Sequence, residues 1–300
     1  MRAWLQAARP AAAVNIQLPL AFGQALAYTA HAAFSPAIGL WLVVYGLCMQ
    51  LYIVFLNDWA DQRADALNDT PTAFSGGSRV LVEQSLRPEA LQRAGSAAGW
   101  AVVALGLLFA FLLQRPLAPV LFIGGLFLLW AYSLPPLRLN YRGGGELLQA
   151  LGVGCILPLA GFYGQTGHLP TFSASGDPLS LIALISAYIY LQVAAAIAFT
   201  LPDAAADRRA GKRTLAALLG VKKAAAIAVV LGLFTHLFSY TSYMPKVLVY
   251  LPAFPLALAL FFVPRSDHAS RYALWLAALL IAPSVLFALA ALHAATQIEL

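Results

Sequence analysis

The chain has 300 residues, of which 61% are hydrophobic and only 10% are charged. A soluble domain carries about 25% charged residues, so the composition excludes an ordinary soluble protein. The formal net charge of +6 comes from basic residues distributed over short polar segments. It gives no nucleic-acid footprint, and we predict no nucleic-acid partner.

Apolar runs of about 20 residues recur along the chain, and each is long enough to cross a bilayer. Backbone groups in lipid must be satisfied internally, so helices are the expected spanning elements. We predict an all-α fold: a polytopic membrane helical bundle with about nine transmembrane helices around a central cavity open to the cytoplasmic side, in a single domain over 1–300. The predicted spans are 13–33, 37–56, 95–114, 117–134, 146–165, 179–201, 222–241, 246–263 and 272–295.

The polar segments between these spans indicate an orientation in the lipid bilayer. With the N-terminus inside, the predicted outer segments hold only Arg115 and Lys246 of the 18 lysines and arginines. The positive-inside rule then predicts a protein of the cell (inner) membrane with a cytoplasmic N-terminus and an outer C-terminus. The acidic residues are also concentrated inside, except Asp177 and Glu299. We therefore expect the active site at the cytoplasmic face.

A first acidic cluster follows the apolar run 37–56 directly, in the stretch NDWADQRAD, 57–65. If the helix continues, Asp58, Asp61 and Asp65 fall at i, i+3 and i+7, on one helix face. Three carboxylates on one face repel each other, and a lone charge at the end of a membrane span costs a few kcal/mol. A cation is needed to hold them, and a hard divalent ion suits oxygen-only ligands.

A second acidic cluster follows the run 179–201, where Asp203 and Asp207 stand at i and i+4 in DAAAD. Two such clusters, each at the end of a long apolar span, can face each other across a cavity and hold Mg²⁺ against a substrate phosphate. We predict Mg²⁺ as cofactor. The predicted catalytic and metal-binding residues are Asp58, Asp61, Asp65, Asp203 and Asp207.

Two inner loops, 57–94 and 202–221, carry these motifs and are predicted to act as lids. The first is too long for a simple connector. After a Gly-Gly-Ser-Arg turn it shows a helical pattern over 80–93, which predicts a short surface helix covering the site. The second ends in AGKRTLAALLG, which predicts a short amphipathic helix with a basic start.

The motif Asn57-Asp58-x-x-Asp61-x-x-x-Asp65, paired with Asp203-x-x-x-Asp207, resembles the acidic motifs of the UbiA superfamily of membrane prenyltransferases. The resemblance covers nearly the whole chain.

Further stretches resemble one branch of that superfamily. YSLPPLRLNYRGGGE, 132–146, is similar to the segment YSxPPxRLxxRGxGE of the MenA-type branch, which prenylates 1,4-dihydroxy-2-naphthoate in menaquinone synthesis. SGGSRV, 75–80, and DRRAGKRTLAALLG, 207–220, are similar to that branch as well. The chain departs from it at 200–203, where Thr-Leu-Pro-Asp replaces the usual Asn-x-Arg-Asp.

The resemblance implies Mg²⁺-dependent transfer of an isoprenyl chain from a prenyl diphosphate to an aromatic acceptor, with dihydroxynaphthoate the first choice. Basic and amide side chains are expected to bind the diphosphate, because guanidinium groups suit bidentate phosphate contacts. These candidates are Asn57, Arg9, Arg79, Arg138, Arg142, Lys212 and Arg213. Loss of diphosphate leaves an allylic cation, which aromatic faces can stabilise. The candidates for lining this part of the site are Asn15, Tyr132 and Tyr163.

Three alternatives stay open. The same fold can act on another acceptor, such as 4-hydroxybenzoate, homogentisate or a lipid, or it can act as a terpene cyclase without any acceptor. A cation-coupled transporter would also carry intramembrane carboxylates. The basic residues beside both acidic motifs favour a diphosphate site over a cation pathway. Arg138 and Arg142 could also be simple positive-inside anchors.

Overall fold

The structure, a computed structural model, describes residues 1–69, 71, 76–170 and 178–239. Within these ranges the chain forms helices and turns without a strand. The all-α prediction is therefore confirmed for the described part of the chain. The predicted spans 246–263 and 272–295 lie outside the described residues.

Twelve helices follow one another in the described ranges. They are α1 (Arg2–Ala8), α2 (Val14–His31), α3 (Pro36–Ala66), α4 (Pro88–Phe111), α5 (Ala118–Ser133), α6 (Leu139–Arg142), α7 (Gly145–Leu151), α8 (Leu157–Thr166), α9 (Pro178–Thr200), α10 (Ala204–Ala210), α11 (Leu215–Leu219) and α12 (Val221–Ser239). A 3₁₀ turn, Pro10–Ala13, joins α1 to α2, and a π-helical stretch, Gly152–Ile156, joins α7 to α8.

Several of these helices suit a bilayer. Among the described residues, α3, α4 and the continuous helical segment Gly145–Thr166 are long and apolar enough to cross a membrane. A fourth span results if Tyr188–Thr200 and α10, which meet at a bend of 77°, are counted together. Long apolar helices of this kind are typical of an integral membrane protein. The number of nine spans stays a prediction.

The helix α2 packs closely on α8. A Cβ added at Gly23 would lie 2.0 Å from the carbonyl oxygen of Pro158, and one added at Gly161 would lie 2.3 Å from that of Leu20. Only a residue without a side chain fits at either position, so the two backbones touch. This contact fixes α2 in the bundle, and the N-terminal end of α2 leads towards the acidic clusters.

The first acidic motif is helical, since α3 continues to Ala66 instead of ending near residue 56. The predicted surface helix over 80–93 is wrong. Residues 80–84 form turns, and α4 begins at Pro88. Proline favours the first position of a helix and disfavours helical backbone in the residue before it, and Arg87 is accordingly extended.

The short helix predicted near the end of 202–221 is confirmed as α11. Its N-cap is Thr214, whose hydroxyl oxygen accepts the N–H of Ala217 at 3.2 Å. A side-chain cap of this kind satisfies one of the free N–H groups at a helix start.

The α2–α8 contact predicts a stability difference between two glycine substitutions. Gly161→Ala should lower the Tm by on the order of 5 °C, because its methyl group must displace backbone atoms of α2. Gly124→Ala is the matched control: its Cβ would meet only a side-chain atom of Ile156 at 4.0 Å, and alanine favours helix. Thermal unfolding in detergent, followed by tryptophan fluorescence, measures both. A wild-type Tm for Gly161→Ala would contradict the close contact.

Candidate active site

The carboxylates of α3 lie on one buried face of the helix. Asp58 and Asp61 are 3% and 2% exposed, and Asp65 is half-buried, whereas Arg63 on the other face is exposed. Buried carboxylates are costly unless they are paired and hydrogen-bonded. The partners of these three groups therefore define the site.

Asp58 is held by two segments that are distant in sequence. One carboxylate oxygen forms an ion pair with the Arg9 guanidinium. The other accepts both the N–H of Ser78, at 3.2 Å, and the Ser78 hydroxyl. The N-terminal segment and the loop after α3 thus converge on this carboxylate. The sequence did not single out Ser78, although it stands in the quoted stretch 75–80.

Lys212 joins the two acidic clusters. Its Nζ lies 2.8 Å from Oδ2 of Asp61 and 3.6 Å from Oδ1 of Asp207. The Lys212 side chain is only 12% exposed. Burial acts to lower the pKa of Lys212, but the carboxylates of Asp61 and Asp207 outweigh this effect and raise the pKa above its usual value. The ammonium group therefore stays charged and compensates both carboxylates.

Tyr141 is a further contact of Asp61, and its hydroxyl donates to Oδ1 at 3.2 Å. Burial, followed by the negative charge of Asp61, raises the pKa of Tyr141 to about 12, so its phenol stays protonated at neutral pH. The Arg138 guanidinium stacks over the Tyr141 ring at 3.9 Å from the centroid, which is the geometry of a cation–π contact. Sequence reasoning missed Tyr141, and its only signal was its position inside the stretch 132–146.

The second cluster is held from the same side. Oδ1 of Asp203 accepts from Asn68 Nδ2 at 2.6 Å, and Oδ2 accepts from the N–H of Gly76 at 3.3 Å. Asp207 accepts the Thr214 hydroxyl at 3.2 Å. Asn68 and Gly76 both follow α3, so the segment after the first motif contacts the second motif directly. Asn68 and Thr214 were not among the predicted site residues.

The Asp65 carboxylate lies against Gly77, where an added Cβ would come within 2.0 Å of Oδ2. Gly77 also has a φ of +70°, which favours glycine. The Arg79 guanidinium donates to the carbonyl oxygens of Asp65 and Asn68 at 2.7 and 3.2 Å. Arg79 thus joins the C-terminal end of α3 to the segment that follows it.

Three of the predicted diphosphate ligands have left-handed backbone. The φ values of Arg9, Arg79 and Arg138 are 44°, 70° and 42°. A left-handed conformation costs a non-glycine residue roughly 1–2 kcal/mol, and such positions cluster at functional sites. The arginines that surround the acidic face therefore occupy strained positions, which the packing around them must stabilise.

The other predicted residues divide into two groups. Tyr132 is close enough to Lys212 and Asp61 to interact with their charges, and Asn57 accepts the Ser133 hydroxyl at 3.0 Å; both belong to the site. Arg142 and Arg213 are exposed at its rim.

Tyr163 is placed elsewhere. Its hydroxyl accepts the N–H of Leu117 at 3.0 Å, at the opposite end of α5 from Tyr132. The structure does not bring Tyr163 to the acidic clusters, so the prediction that it lines the site is wrong. The predicted topology contained the signal for this, because a span 146–165 that runs from the inside to the outside places Tyr163 near its outer end.

Asn15 lines a cleft between α2 and α9. The cleft is narrow and, as it stands, holds a volume of about 20 Å³, room for roughly one water molecule. Most of its lining is apolar; the lining residues are Val14, Asn15, Leu18, Pro19, Tyr188, Gln192, Ala195 and Phe199. In the chain, Val14 comes soon after Arg9, and Phe199 comes just before Asp203. The cleft therefore begins at the ends of α2 and α9 that carry the site.

The five aspartates offer only oxygen donors, which is the chemistry that Mg²⁺ prefers. In the described ranges, no three acidic, histidine or cysteine side chains are grouped closely enough to hold a metal ion as they stand. Arg9 and Lys212 lie beside the carboxylates instead. The donor set thus fits a hard divalent cation, and the two side-chain cations supply charge compensation.

The UbiA prenyltransferase family matches the sequence over residues 17–281. The chain belongs to the UbiA prenyltransferase family. This family membership confirms the predicted superfamily and makes the chain a membrane prenyltransferase. No curated protein matches the sequence.

Solved structures of UbiA proteins share the fold. A UbiA homologue from Archaeoglobus fulgidus bound to GPP and Mg²⁺ is 18% identical, with a TM-score of 0.69 over 98% of this chain and 99% of that one. A digeranylgeranylglyceryl phosphate synthase is 15% identical, with a TM-score of 0.66 over 97% and 98%. The apo homologue from Aeropyrum pernix K1 is 17% identical, with a TM-score of 0.62 over 95% and 97%.

The pairing of Lys212 predicts a stability effect. Lys212→Met leaves two buried carboxylates without their cation and should lower the free energy of unfolding by about 3–5 kcal/mol. Arg209→Met is the matched control, since it removes an exposed ion pair with Asp69 and an exposed hydrogen bond to the Leu67 carbonyl, and exposed ion pairs contribute about 0–1 kcal/mol. Thermal unfolding of both variants in the same detergent tests this. Equal shifts in the two Tm values would contradict the buried pairing.

Proposed function

We propose that this protein transfers an isoprenyl chain from a prenyl diphosphate to an aromatic acceptor in a Mg²⁺-dependent reaction. The main support is that Lys212 Nζ lies 2.8 Å from a carboxylate oxygen of Asp61 and 3.6 Å from one of Asp207. Two carboxylate clusters that meet at one cation can also share a ligand bridged by metal ions. The A. fulgidus homologue has been solved with Mg²⁺ together with GPP and with DMAPP, which supports the same ligands here.

The metal ions would be held by the aspartates of the two clusters. When bound, Mg²⁺ supplies positive charge that neutralises the departing diphosphate. The proposed ligands are Asp58, Asp61, Asp65, Asp203 and Asp207.

The basic residues would complete the diphosphate site. Lys212 and Arg9 already touch the carboxylates, and Arg138 lies over Tyr141 next to Asp61. Lys212 is a point charge that can move from a carboxylate to a phosphate oxygen, and a guanidinium can contact two oxygens at once. The exposed Arg142 and Arg213 would attract the anion to the rim, whereas Arg79 would hold the end of α3.

The apolar cleft between α2 and α9 marks the path that the isoprenyl chain would take, with the two helices moving apart to admit it. Leu18, Ala195 and Phe199 give the cleft a hydrocarbon lining, and the cleft begins at the acidic end of both helices. Tyr132 lies near Asp61 and Lys212 and could turn its electron-rich ring towards the allylic cation. The helices around the cleft would keep water away from that cation.

For the acceptor we propose 1,4-dihydroxy-2-naphthoate, and hence a step of menaquinone synthesis. The support is the stretch 132–146, which resembles the branch acting on this compound and which contributes Tyr132, Arg138 and Tyr141 to the site. We further propose that the site faces the cytoplasm, with the N-terminus on the same side, because the lysines and arginines of the described loops are concentrated around it.

A panel of acceptors tests the proposal. Protein in lipid vesicles is incubated with Mg²⁺, labelled geranyl diphosphate and one acceptor at a time: dihydroxynaphthoate, 4-hydroxybenzoate, homogentisate or a glycerol phosphate lipid. We expect labelled lipid product with dihydroxynaphthoate and none without Mg²⁺. Product from the donor alone would indicate a terpene cyclase, and product only with another acceptor would reject the dihydroxynaphthoate assignment.

The same assay tests the residues. Asp61→Asn should lower turnover at least 100-fold, because an amide neither binds Mg²⁺ well nor pairs with Lys212, and this loss corresponds to about 3 kcal/mol of transition-state stabilisation. Asp69→Asn is the matched control: Asp69 is exposed and pairs only with Arg209 among the described residues. It should keep turnover within about twofold of the wild-type value. Comparable activity in the two variants would contradict the role given to Asp61.

A further inference from the structure

The N-terminal helix α1 contacts the acidic site through a side chain that the proposed function does not use. Gln6 Nε2 donates to the carbonyl oxygen of Ser78 at 2.9 Å. Ser78 in turn donates its N–H and its hydroxyl to one oxygen of Asp58. An unbroken chain of hydrogen bonds thus runs from α1 through the loop after α3 to a carboxylate of the first motif.

Packing holds α1 in place for this contact. Ala7 is fully buried in a cluster with Phe55, Val80 and Leu91, and the Trp4 ring meets the edge of Phe55 at 5.8 Å between centroids. The cluster unites α1, α3, α4 and the loop. The amide of Gln6 is therefore presented to Ser78 by an element that is fixed against both neighbours.

The peptide that accepts the hydrogen bond precedes a strained residue. Arg79 has a φ of 70°, and a left-handed residue here needs compensating interactions. The hydrogen bond from Gln6 holds the Ser78 carbonyl, which belongs to the peptide that joins Ser78 to Arg79. Ser78 is thereby held at its carbonyl group, while its N–H, which belongs to the preceding peptide, and its hydroxyl both bond to one oxygen of Asp58 and hold that carboxylate in place.

We propose that Gln6 and Ser78 are positioning residues of the active site, and that α1 forms one of its walls. Gln6 holds Ser78, and Ser78 fixes one oxygen of Asp58 while Arg9 pairs with the other. This inference rests on the proposed function, because the oriented carboxylate is there to act on Mg²⁺ and diphosphate. The substrate is the same prenyl diphosphate. What is new is that the N-terminal helix α1 positions a carboxylate of the site.

Two substitutions of Gln6 separate the effect of its N–H donor from the effect of its side-chain size. Gln6→Glu has the same shape but no N–H, and it places a carboxylate against the Ser78 carbonyl and against Glu83, which lies 3.3 Å from Gln6 Nε2. Gln6→Lys restores a donor and can pair with Glu83. Gln17→Glu is the matched control, because Gln17 in α2 likewise donates to a backbone carbonyl of a distant segment, that of Val43 in α3 at 3.1 Å.

The probe is an unreactive thio-analogue of geranyl diphosphate, whose Mg²⁺-dependent affinity is measured by calorimetry with protein in nanodiscs. Gln6→Glu should weaken this affinity about tenfold, and Gln6→Lys and Gln17→Glu should stay within about threefold of wild type. Hydrogen exchange of the amides of 76–86 supplies a second measurement that needs no ligand. Exchange there should become faster in Gln6→Glu and return to the wild-type rate in Gln6→Lys.

The outcomes are distinct. Unchanged affinity and exchange in Gln6→Glu overturn the inference and leave the proposed function intact. The inference is also overturned if Gln6→Lys does not restore the affinity, or if Gln17→Glu loses as much affinity as Gln6→Glu. Gln6 would then have only a structural role. Wild-type protein without Mg²⁺-dependent binding overturns the proposed function, and the inference falls with it.

Discussion

The structure of the site depends on neutralising buried carboxylates. Asp61 and Asp207 come from helices that are far apart in the sequence, and Lys212 holds both of them. Without a cation, taking these groups out of water would cost several kcal/mol each. Arg9 performs the same task for Asp58. The N-terminal segment, α3 and the turn after α10 are therefore tied to one another by charge as well as by packing, and the position of each acidic group follows from its partner.

In the function proposed above, the same arrangement would allow the site to take up a metal-bridged anion. Arg9 and Lys212 compensate the carboxylates, and in the proposed function they would turn towards phosphate oxygens once a divalent ion takes their place. The left-handed φ values of Arg9 and Arg138 show that the chain accepts a conformational cost to keep guanidinium groups at this end of the bundle. The apolar cleft beside Asn15 begins at the same end. Charged and hydrocarbon-lined volumes therefore adjoin, as a substrate with a diphosphate head and an isoprenyl chain requires.

Much of the fold follows from local sequence patterns. Apolar runs indicated the long helices, because burial in lipid requires long uninterrupted hydrocarbon surface. These are α2, α3, α4, α5, the segment from α7 to α8, α9 and α12. The spacing of Asp58, Asp61 and Asp65 predicted their common face, since helix geometry alone determines it. The sequence could not identify the cation that holds them. The prediction of Mg²⁺ agrees with the Mg²⁺-bound UbiA homologue, but the sequence did not show that Arg9 and Lys212 pair with the carboxylates, because a pairing between distant segments leaves no local periodicity. The contacts of Tyr141, Ser78 and Asn68 were missed for the same reason. The prediction of a surface helix over 80–93 was wrong because Pro88 begins a new helix, α4.

The central claim is that the two acidic clusters hold one diphosphate together. A double-mutant cycle on Asp61→Asn and Asp207→Asn tests it most directly, with the Mg²⁺-dependent Kd of the thio-analogue of geranyl diphosphate measured for wild type, both single variants and the double variant. If both carboxylates act on one metal-bridged ligand, the double variant should bind hardly more weakly than the worse single variant. Losses that simply add, or an affinity that does not depend on Mg²⁺ in the wild-type protein, would contradict the shared site.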